Sequence, residues 1–271
     1  MTDKSPLGRR TVYREHYDPD QLHAIDRNVN RAALGLGARL PFHGVDIWNA
    51  WELTWLDPAG KPMVAAVEIR IPATSPNIAE SKSVKLYLNS FSMTPFPSAA
   101  GVAAAIERDL SACCDAAVSV RLRLSSERTA HSLGRLPGDC LDTLPARCDV
   151  YDVDSSVLRA DPDVIVSEDL YSHLLRSLCP VTNQPDSGSL LISYRGPRID
   201  REPLLRYIVS FRQHNDFHEA CAERMFVDLI ERCRPAELSV YARYHRRGGI
   251  DINPFRSNFE PDPPNIRLWR Q

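Results

Sequence analysis

The chain has 271 residues, of which 43% are hydrophobic and 25% charged, and a formal net charge of −2. These values are typical of one large globular domain or two modules, and they disfavour the broad basic surface of a nucleic-acid-binding protein. No apolar run approaches the ~20 residues of a membrane span, and the N-terminal charges have no apolar segment behind them, so we expect neither a membrane protein nor a secreted one. Seven cysteines without regular spacing predict reduced thiols in the cytoplasm and no closed metal site.

The first part of the chain predicts an arm followed by a hairpin. Residues 1–45 mix charge, proline and glycine, and Val12, Tyr13 and Tyr17 are the expected anchors of an extended arm. Residues 48–71 contain an alternating segment, a turn with proline and glycine, and a β-branched segment. This order is typical of a β-hairpin.

Two helices and a strand are predicted next. One apolar helical face is formed by residues at i, i+3, i+4 and i+7, namely Val84, Tyr87, Leu88 and Phe91. An alanine-rich run over residues 99–113 predicts a second helix, and residues 118–124 alternate as a half-buried strand does.

The second half repeats this order after a connection. Residues 125–176 are rich in Pro, Asp, Arg and Gly, and we interpret them as a connection with one edge segment at residues 150–153. Then follow a strand, two helices and a strand, at residues 190–194, 203–211, 219–233 and 238–244. The helix pair and the last strand lie about 120 residues after their counterparts, which predicts an internal duplication with modules at residues 46–150 and 151–271.

The polar segment over residues 178–188 is the first candidate for chemistry. It holds Cys179 and Asp186 between two prolines and a glycine, so we expect a loop without helix or ladder hydrogen bonds. A thiol there can be a nucleophile and a nearby carboxylate its base or acid. The alternatives are a structural thiol at Cys179 and a turn-capping role for Asp186.

Four separated motifs then resemble one family. They are ESKSVKLYLNSF at residues 80–91, CPVTNQPD at 179–186, FRQHNDFHE at 211–219 and RRGGIDINP at 246–254. In this order they resemble the long, two-module form of the NADPH-dependent nitrile reductases that convert 7-cyano-7-deazaguanine to its aminomethyl form in queuosine biosynthesis. The resemblance covers nearly all of the chain beyond the arm.

The resemblance implies an α+β fold of two tandem tunnelling-fold modules, each an antiparallel sheet with a helix pair on one face, assembled as a homodimer. It places the nucleophile on Cys179 and the proton donor on Asp186. It assigns substrate binding to Ala79, Glu80, Ser81, Phe217, His218 and Glu219. It assigns contacts with NADPH to Ser81, Lys82, Arg247 and Gly248, and it implies no metal.

The implied chemistry agrees with the residue types. A thiolate adding to a nitrile carbon gives a thioimide that accepts hydride readily, and two hydride transfers consume two NADPH. Carboxylates at Glu80 and Glu219 can accept from the N–H groups of a guanine-like edge, although His218 and Glu219 also suit an ordinary helix start. No glycine-rich dinucleotide fingerprint follows a strand, which excludes a Rossmann site. The alternatives are a cysteine-dependent nitrile or amide hydrolase, and a non-catalytic purine- or pterin-binding protein of the same fold.

Overall fold

The computed structural model describes residues 13–124, 127 and 133–271. Five α-helices and ten strands occur in this part of the chain, and the predicted α+β class is confirmed. The first half contains β1 (Ala24–Asp26), α1 (Asn28–Ala33), β2 (His43–Leu56), β3 (Pro62–Pro72), β4 (Asn77–Ala79), α2 (Ser81–Asn89), α3 (Ala99–Cys114) and β5 (Ser119–Leu124). The second contains β6 (Asp139–Cys140), β7 (Ala160–Leu178), β8 (Pro185–Ile199), α4 (Arg201–Ser210), α5 (His218–Cys233), β9 (Glu237–Tyr244) and β10 (Ile250–Ser257).

The described residues form two compact units. The first comprises residues 13–29, 46–124 and 246–251, and the second comprises residues 30–45, 133–245 and 252–271. The chain therefore enters each unit more than once, whereas the predicted arm and modules are continuous segments. The module boundaries near residues 45 and 150 stay a prediction. None of the helices in the described part of the chain is long and apolar enough to cross a membrane.

In the first unit the predicted hairpin is confirmed as β2 and β3. The Asp57 carboxylate closes its turn by accepting from the backbone N–H groups of Ala59 and Lys61, each at 2.9 Å. Gly60 has φ +84°, a conformation that glycine adopts without steric cost. On its other side β3 pairs antiparallel with β5, and α3 packs on β5.

The predicted apolar face is buried, since Val84, Tyr87 and Leu88 of α2 and Phe91, two residues after its end, are all buried. Of the expected arm anchors, Tyr17 packs against Phe91 with ring centroids 5.1 Å apart. Tyr13 is 69% exposed, so its prediction as an anchor is wrong. Val12 lies outside the described residues.

The second unit has the strand order β10-β9-β8-β7-β6, antiparallel except where β6 meets β7. The prediction of a connection over residues 125–176 is wrong over its last part, because β7 begins at Ala160 and continues past residue 176. Residues 150–153 form no strand. Exposed charged residues such as Asp163 occur along β7. A register shift at Pro162 also interrupts its hydrogen-bond ladder. Charged residues and proline are typical of loops, so the composition of this segment did not indicate a strand.

The two units repeat one internal arrangement. The Tyr87 hydroxyl donates to Asp109 at 2.7 Å between α2 and α3, and the Tyr207 hydroxyl donates to Asp228 at 2.6 Å between α4 and α5. Both pairs are buried. This shared pairing, together with the repeated helix–helix–strand order, supports the predicted duplication.

Candidate active site

The Cys179 segment is a β-hairpin turn. Strands β7 and β8 pair up to the turn, with Leu178 opposite Pro185 and Ser177 opposite Asp186. The expectation of a loop without ladder hydrogen bonds holds for residues 179–184 and is wrong for residues 185–188, because Pro185 and Gly188 lie inside a paired strand. Cys179 N–H donates to the Gln184 carbonyl at 2.9 Å, which closes the turn.

The turn is held from outside by residues 214–216. Leu178 N–H donates to the His214 carbonyl at 2.8 Å, and Asp216 N–H donates back to the Leu178 carbonyl at 3.1 Å. The Asn215 amide donates to the Asn183 side chain at 2.5 Å. Sequence reasoning missed this clamp, although residues 214–216 belong to one of the recognised motifs. Cys179 itself is only 4% exposed, so the thiol is buried despite its polar neighbours.

Asp186 and His218 meet in the same unit. His218 Nε2 lies 3.3 Å from Asp186 Oδ2, and both side chains are largely buried. His218 begins α5, and Phe217 precedes it at the N-cap position. Glu219 lies in the first turn and is 4% exposed. A carboxylate there is favoured by the helix dipole, and this start of α5 brings together three of the predicted substrate residues.

One neighbour of this group was not predicted. The Tyr244 ring at the end of β9 lies flat against the His218 imidazole, with centroids 3.7 Å apart and planes 9° apart. Tyr244 belongs to a strand that its correspondence to residues 118–124 predicts correctly, but nothing in the sequence there indicates which helix residue it contacts.

Two buried thiols of the second unit, Cys221 and Cys233, differ from an active nucleophile. Burial raises the pKa of the Cys221 thiol far above its usual range, and burial raises the pKa of Cys233 to about 11. Both stay protonated at neutral pH. The seven cysteines all lie in the described part of the chain and form no disulfide there, and no group of three metal-binding side chains occurs among residues 13–124, 127 and 133–271.

In the first unit, Glu80 is the N-cap of α2. Its carboxylate accepts from the backbone N–H groups of Lys82 and Ser83, both at 2.8 Å, and it is 1% exposed. Ala79 ends β4, where it pairs with Ala24, and Ser81 begins α2. The three predicted substrate residues of this unit thus surround one helix N-terminus.

A cavity of about 320 Å³ lies beside the same helix. Lys82 and Lys85 of α2 and Glu52 of β2 contribute its charged side chains, and Gly248 and Gly249 contribute backbone. Two lysines beside a glycine turn suit the phosphate groups of a dinucleotide. Gly248 has φ +60°, and an added Cβ would lie 3.3 Å from Lys85 Cδ, so a side chain there would crowd the cavity wall.

Two other predicted cofactor residues stand outside this lining. The Arg247 backbone closes the adjacent turn, where its N–H donates to the Ile250 carbonyl at 2.9 Å. Neither Arg247 nor Ser81 lines the cavity within the described part of the chain.

The second unit thus contains a buried thiol in a fixed turn and a carboxylate–imidazole pair, which are the functional groups of a thiol-dependent enzyme. Comparison with known proteins gives the family. Residues 13–122 match the family described as nitrile reductase, 7-cyano-7-deazaguanine-reductase N-terminal, and residues 185–263 match QueF-like protein. Asp186 lies within the second match, whereas Cys179 lies between the two.

Full-length relatives agree with these matches. The chain is 51% identical over 271 residues to the NADPH-dependent 7-cyano-7-deazaguanine reductase of Paraburkholderia xenovorans, with 99% of each chain covered. It is 52% identical over 271 residues to the proteins of that name from Burkholderia thailandensis and Burkholderia pseudomallei, with the same coverage. The chain belongs to the 7-cyano-7-deazaguanine reductase family, and the resemblance drawn from the four motifs is confirmed.

Proposed function

We propose that this chain reduces the nitrile of 7-cyano-7-deazaguanine to the aminomethyl group in the queuosine pathway, with two NADPH consumed per substrate. The observation that carries the proposal is the full-length similarity to reductases of that name. The buried thiol of the Cys179 turn and the Asp186–His218 pair add the chemical groups that the reaction needs.

Cys179 is the proposed nucleophile. Its thiolate sulfur adds to the nitrile carbon, one π bond of the nitrile becomes an N–H bond, and a thioimide results. The clamp by residues 214–216 holds the sulfur in one place, which favours attack on a bound substrate because orientation is settled before the reaction. Release of the sulfur after the first reduction gives an imine, and its carbon is the site of the second.

Asp186 is the proposed proton carrier. It accepts the thiol proton as Cys179 attacks and donates it to the nitrile nitrogen. His218, 3.3 Å from Asp186, can hold or pass a proton to the same carboxylate. Because both side chains are largely buried, water has little access to the pair, which protects the imine from hydrolysis.

The substrate-binding roles follow from hydrogen-bonding chemistry. The buried Glu219 carboxylate suits the paired N–H donors of a deazaguanine edge, and Phe217 beside it offers a ring for stacking. For Glu80, Ala79 and Ser81 the role in substrate binding stays a prediction from the resemblance.

NADPH supplies the hydride for each reduction when it is bound. Lys82 and the Gly248 backbone are the proposed contacts, because both line the lysine-bearing cavity. The proposed contacts of Ser81 and Arg247 lie beside it at the start of α2 and in the glycine turn. Lys85 joins them as a cation that the motif contains and the cavity exposes.

The remaining features of the proposal concern partners and location. We propose a homodimer that binds a small molecule and no nucleic acid, consistent with a net charge of −2. A cytoplasmic location is consistent with seven cysteines that form no disulfide among the described residues.

The test is stoichiometry. The purified chain with 7-cyano-7-deazaguanine should oxidise two NADPH per amine formed, and Cys179→Ala should abolish turnover. Ammonia release without NADPH consumption would instead select the cysteine-dependent hydrolase. Binding of the substrate with neither reaction would select a non-catalytic member of the fold.

A further inference from the structure

The contact between Tyr244 and His218 determines how the His218 imidazole is oriented. Histidine side chains are usually oriented by a hydrogen bond at each ring nitrogen. In His218 only Nε2 has such a neighbour, Asp186 Oδ2 at 3.3 Å. The buried Nδ1 has no hydrogen-bond partner among the described residues. The ring orientation must therefore be set by packing.

Tyr244 supplies that packing. Its ring is 0% exposed and lies parallel to the imidazole at 3.7 Å, whereas most other aromatic pairs in the chain meet edge to face. Centroids 3.7 Å apart leave little room for an offset, and since a face-to-face stack without offset is not the preferred arrangement of an isolated pair, the surroundings impose it. A flat contact at this distance blocks rotation of the imidazole out of its plane.

A glycine on the neighbouring strand lets the backbone of β8 lie close to Tyr244. On β8, Gly188 lies opposite Tyr244 and two residues after Asp186, so Gly188 and Asp186 face the same side of the sheet. A Cβ at Gly188 would lie 3.1 Å from Tyr244 Cα and 2.9 Å from the Arg243 carbonyl oxygen. Any other residue would move the ring and the Asp186 strand apart.

The far end of the Tyr244 side chain is buried as well, and its hydroxyl has no hydrogen-bond partner among the described residues. The hydroxyl lies beside Ser177 and Cys221, both 0% exposed, and burial holds the pKa of the phenol well above its usual range. The ring is therefore neutral at every working pH. The Tyr244 carbonyl accepts from the Gln271 amide at 2.9 Å, which ties the end of β9 to the last residue.

We propose that Tyr244 is a positioning residue that holds the His218 imidazole in the orientation that places Nε2 at Asp186. This inference rests on the proposed function for its consequence in catalysis, while the geometry itself can be tested without activity. The ring face carries the effect, so phenylalanine should replace tyrosine and an aliphatic residue should not.

The direct test is the NMR signal of the His218 ring protons, assigned by its loss in His218→Gln. The ring current of Tyr244 should shift this signal upfield in the wild type and in Tyr244→Phe, and the shift should vanish in Tyr244→Leu. A wild-type signal without an upfield shift would overturn the proposal, whether or not the leucine variant folds. This reading is independent of any reductase activity.

Kinetics test the consequence. Tyr244→Leu should lower kcat about 10- to 100-fold, as expected for a misplaced reacting group, and leave KM for NADPH unchanged. Tyr244→Phe should keep the wild-type kcat. Tyr241→Leu is the matched control, because Tyr241 is also buried but lies three residues before Tyr244, on the opposite face of β9, and donates to the Pro264 carbonyl. Wild-type kcat in a folded Tyr244→Leu would contradict the proposal, and an inactive wild type would instead refute the proposed function.

Discussion

Glu223→Gln is expected to destabilise the second unit strongly. In the structure one Glu223 carboxylate serves two guanidinium groups. Arg31 donates to both oxygens at 2.8 and 2.9 Å, and Arg256 donates twice to Oε1 at 2.9 and 3.1 Å. The three side chains are 4%, 7% and 0% exposed for Glu223, Arg31 and Arg256.

The size of the effect follows from this geometry. Glutamine keeps the shape but removes the negative charge between two buried cations. Its amide nitrogen must also face a guanidinium donor whichever way the amide is turned. Removing one partner of a buried ion pair costs about 3–5 kcal/mol, because the remaining charge is left in a medium that solvates it poorly.

Urea unfolding followed by circular dichroism measures this cost. Glu202→Gln is the matched control, because the Glu202 side chain is 51% exposed and lies 4.0 Å from Arg206 on α4. An exposed pair of this kind contributes about 0–1 kcal/mol. If Glu223→Gln lowered the free energy of unfolding no more than the control does, the reasoning from burial would be refuted.

Three further predictions concern stability, pH and the cofactor. Tyr207→Phe should cost about 1–3 kcal/mol, because it leaves the buried Asp228 carboxylate unpaired. Tyr87→Phe should cost less, since Asp109 still accepts from Tyr17 and Arg108; equal losses in urea unfolding would contradict this. Burial lowers the pKa of His245 below its ordinary 6.5, and the charges of Arg270 and His173 lower it further. The His245 side chain therefore binds a proton more readily in the unfolded chain than in the folded one. Stability should fall as pH drops below 6.5, and the melting temperature of His245→Gln should fall less; identical pH profiles would refute it. Lys82→Ala should raise KM for NADPH about tenfold by loss of one charged contact, whereas the exposed Lys61→Ala should not.

Strongly periodic segments could be predicted from the sequence. Alternation and a turn with proline and glycine indicate the hairpin β2–β3. The helical spacing of apolar residues indicates α2, and those residues are buried in the structure. Local pattern is sufficient there because each element buries one face that its own spacing specifies. The Tyr87–Asp109 and Tyr207–Asp228 pairs then show why the two halves repeat the same spacing.

The strand β7 could not be predicted in the same way. Its outer side faces solvent and carries charge, and Pro162 sits where the ladder shifts register, so composition imitates a connection. The start of β8 after the Cys179 turn was mispredicted for a related reason, since Pro185 opens that strand and Gly188 lies beside a register shift.

The candidate site divides along similar lines. The residue types of Cys179, Asp186, His218 and Glu219 could be recognised as motifs. The contact between Asp186 and His218 and the stack on Tyr244 depend on how α5 packs on the sheet, which local sequence does not specify. The same holds for Asn30 and Asp216, whose side chains meet at 2.7 Å across 186 residues.

The central claim, that Cys179 forms a covalent bond with the substrate nitrile, is tested most directly by intact-protein mass spectrometry with 7-cyano-7-deazaguanine in the absence of NADPH. We expect the mass of the chain to increase by one substrate molecule, with the adduct mapped to Cys179. The adduct should be absent in Cys179→Ala and should be converted to the amine when NADPH is added. We expect no such loss in Cys233→Ala, whose buried thiol has a raised pKa. An unmodified wild-type chain that still reduces the nitrile, or an adduct that survives in Cys179→Ala, would contradict this claim.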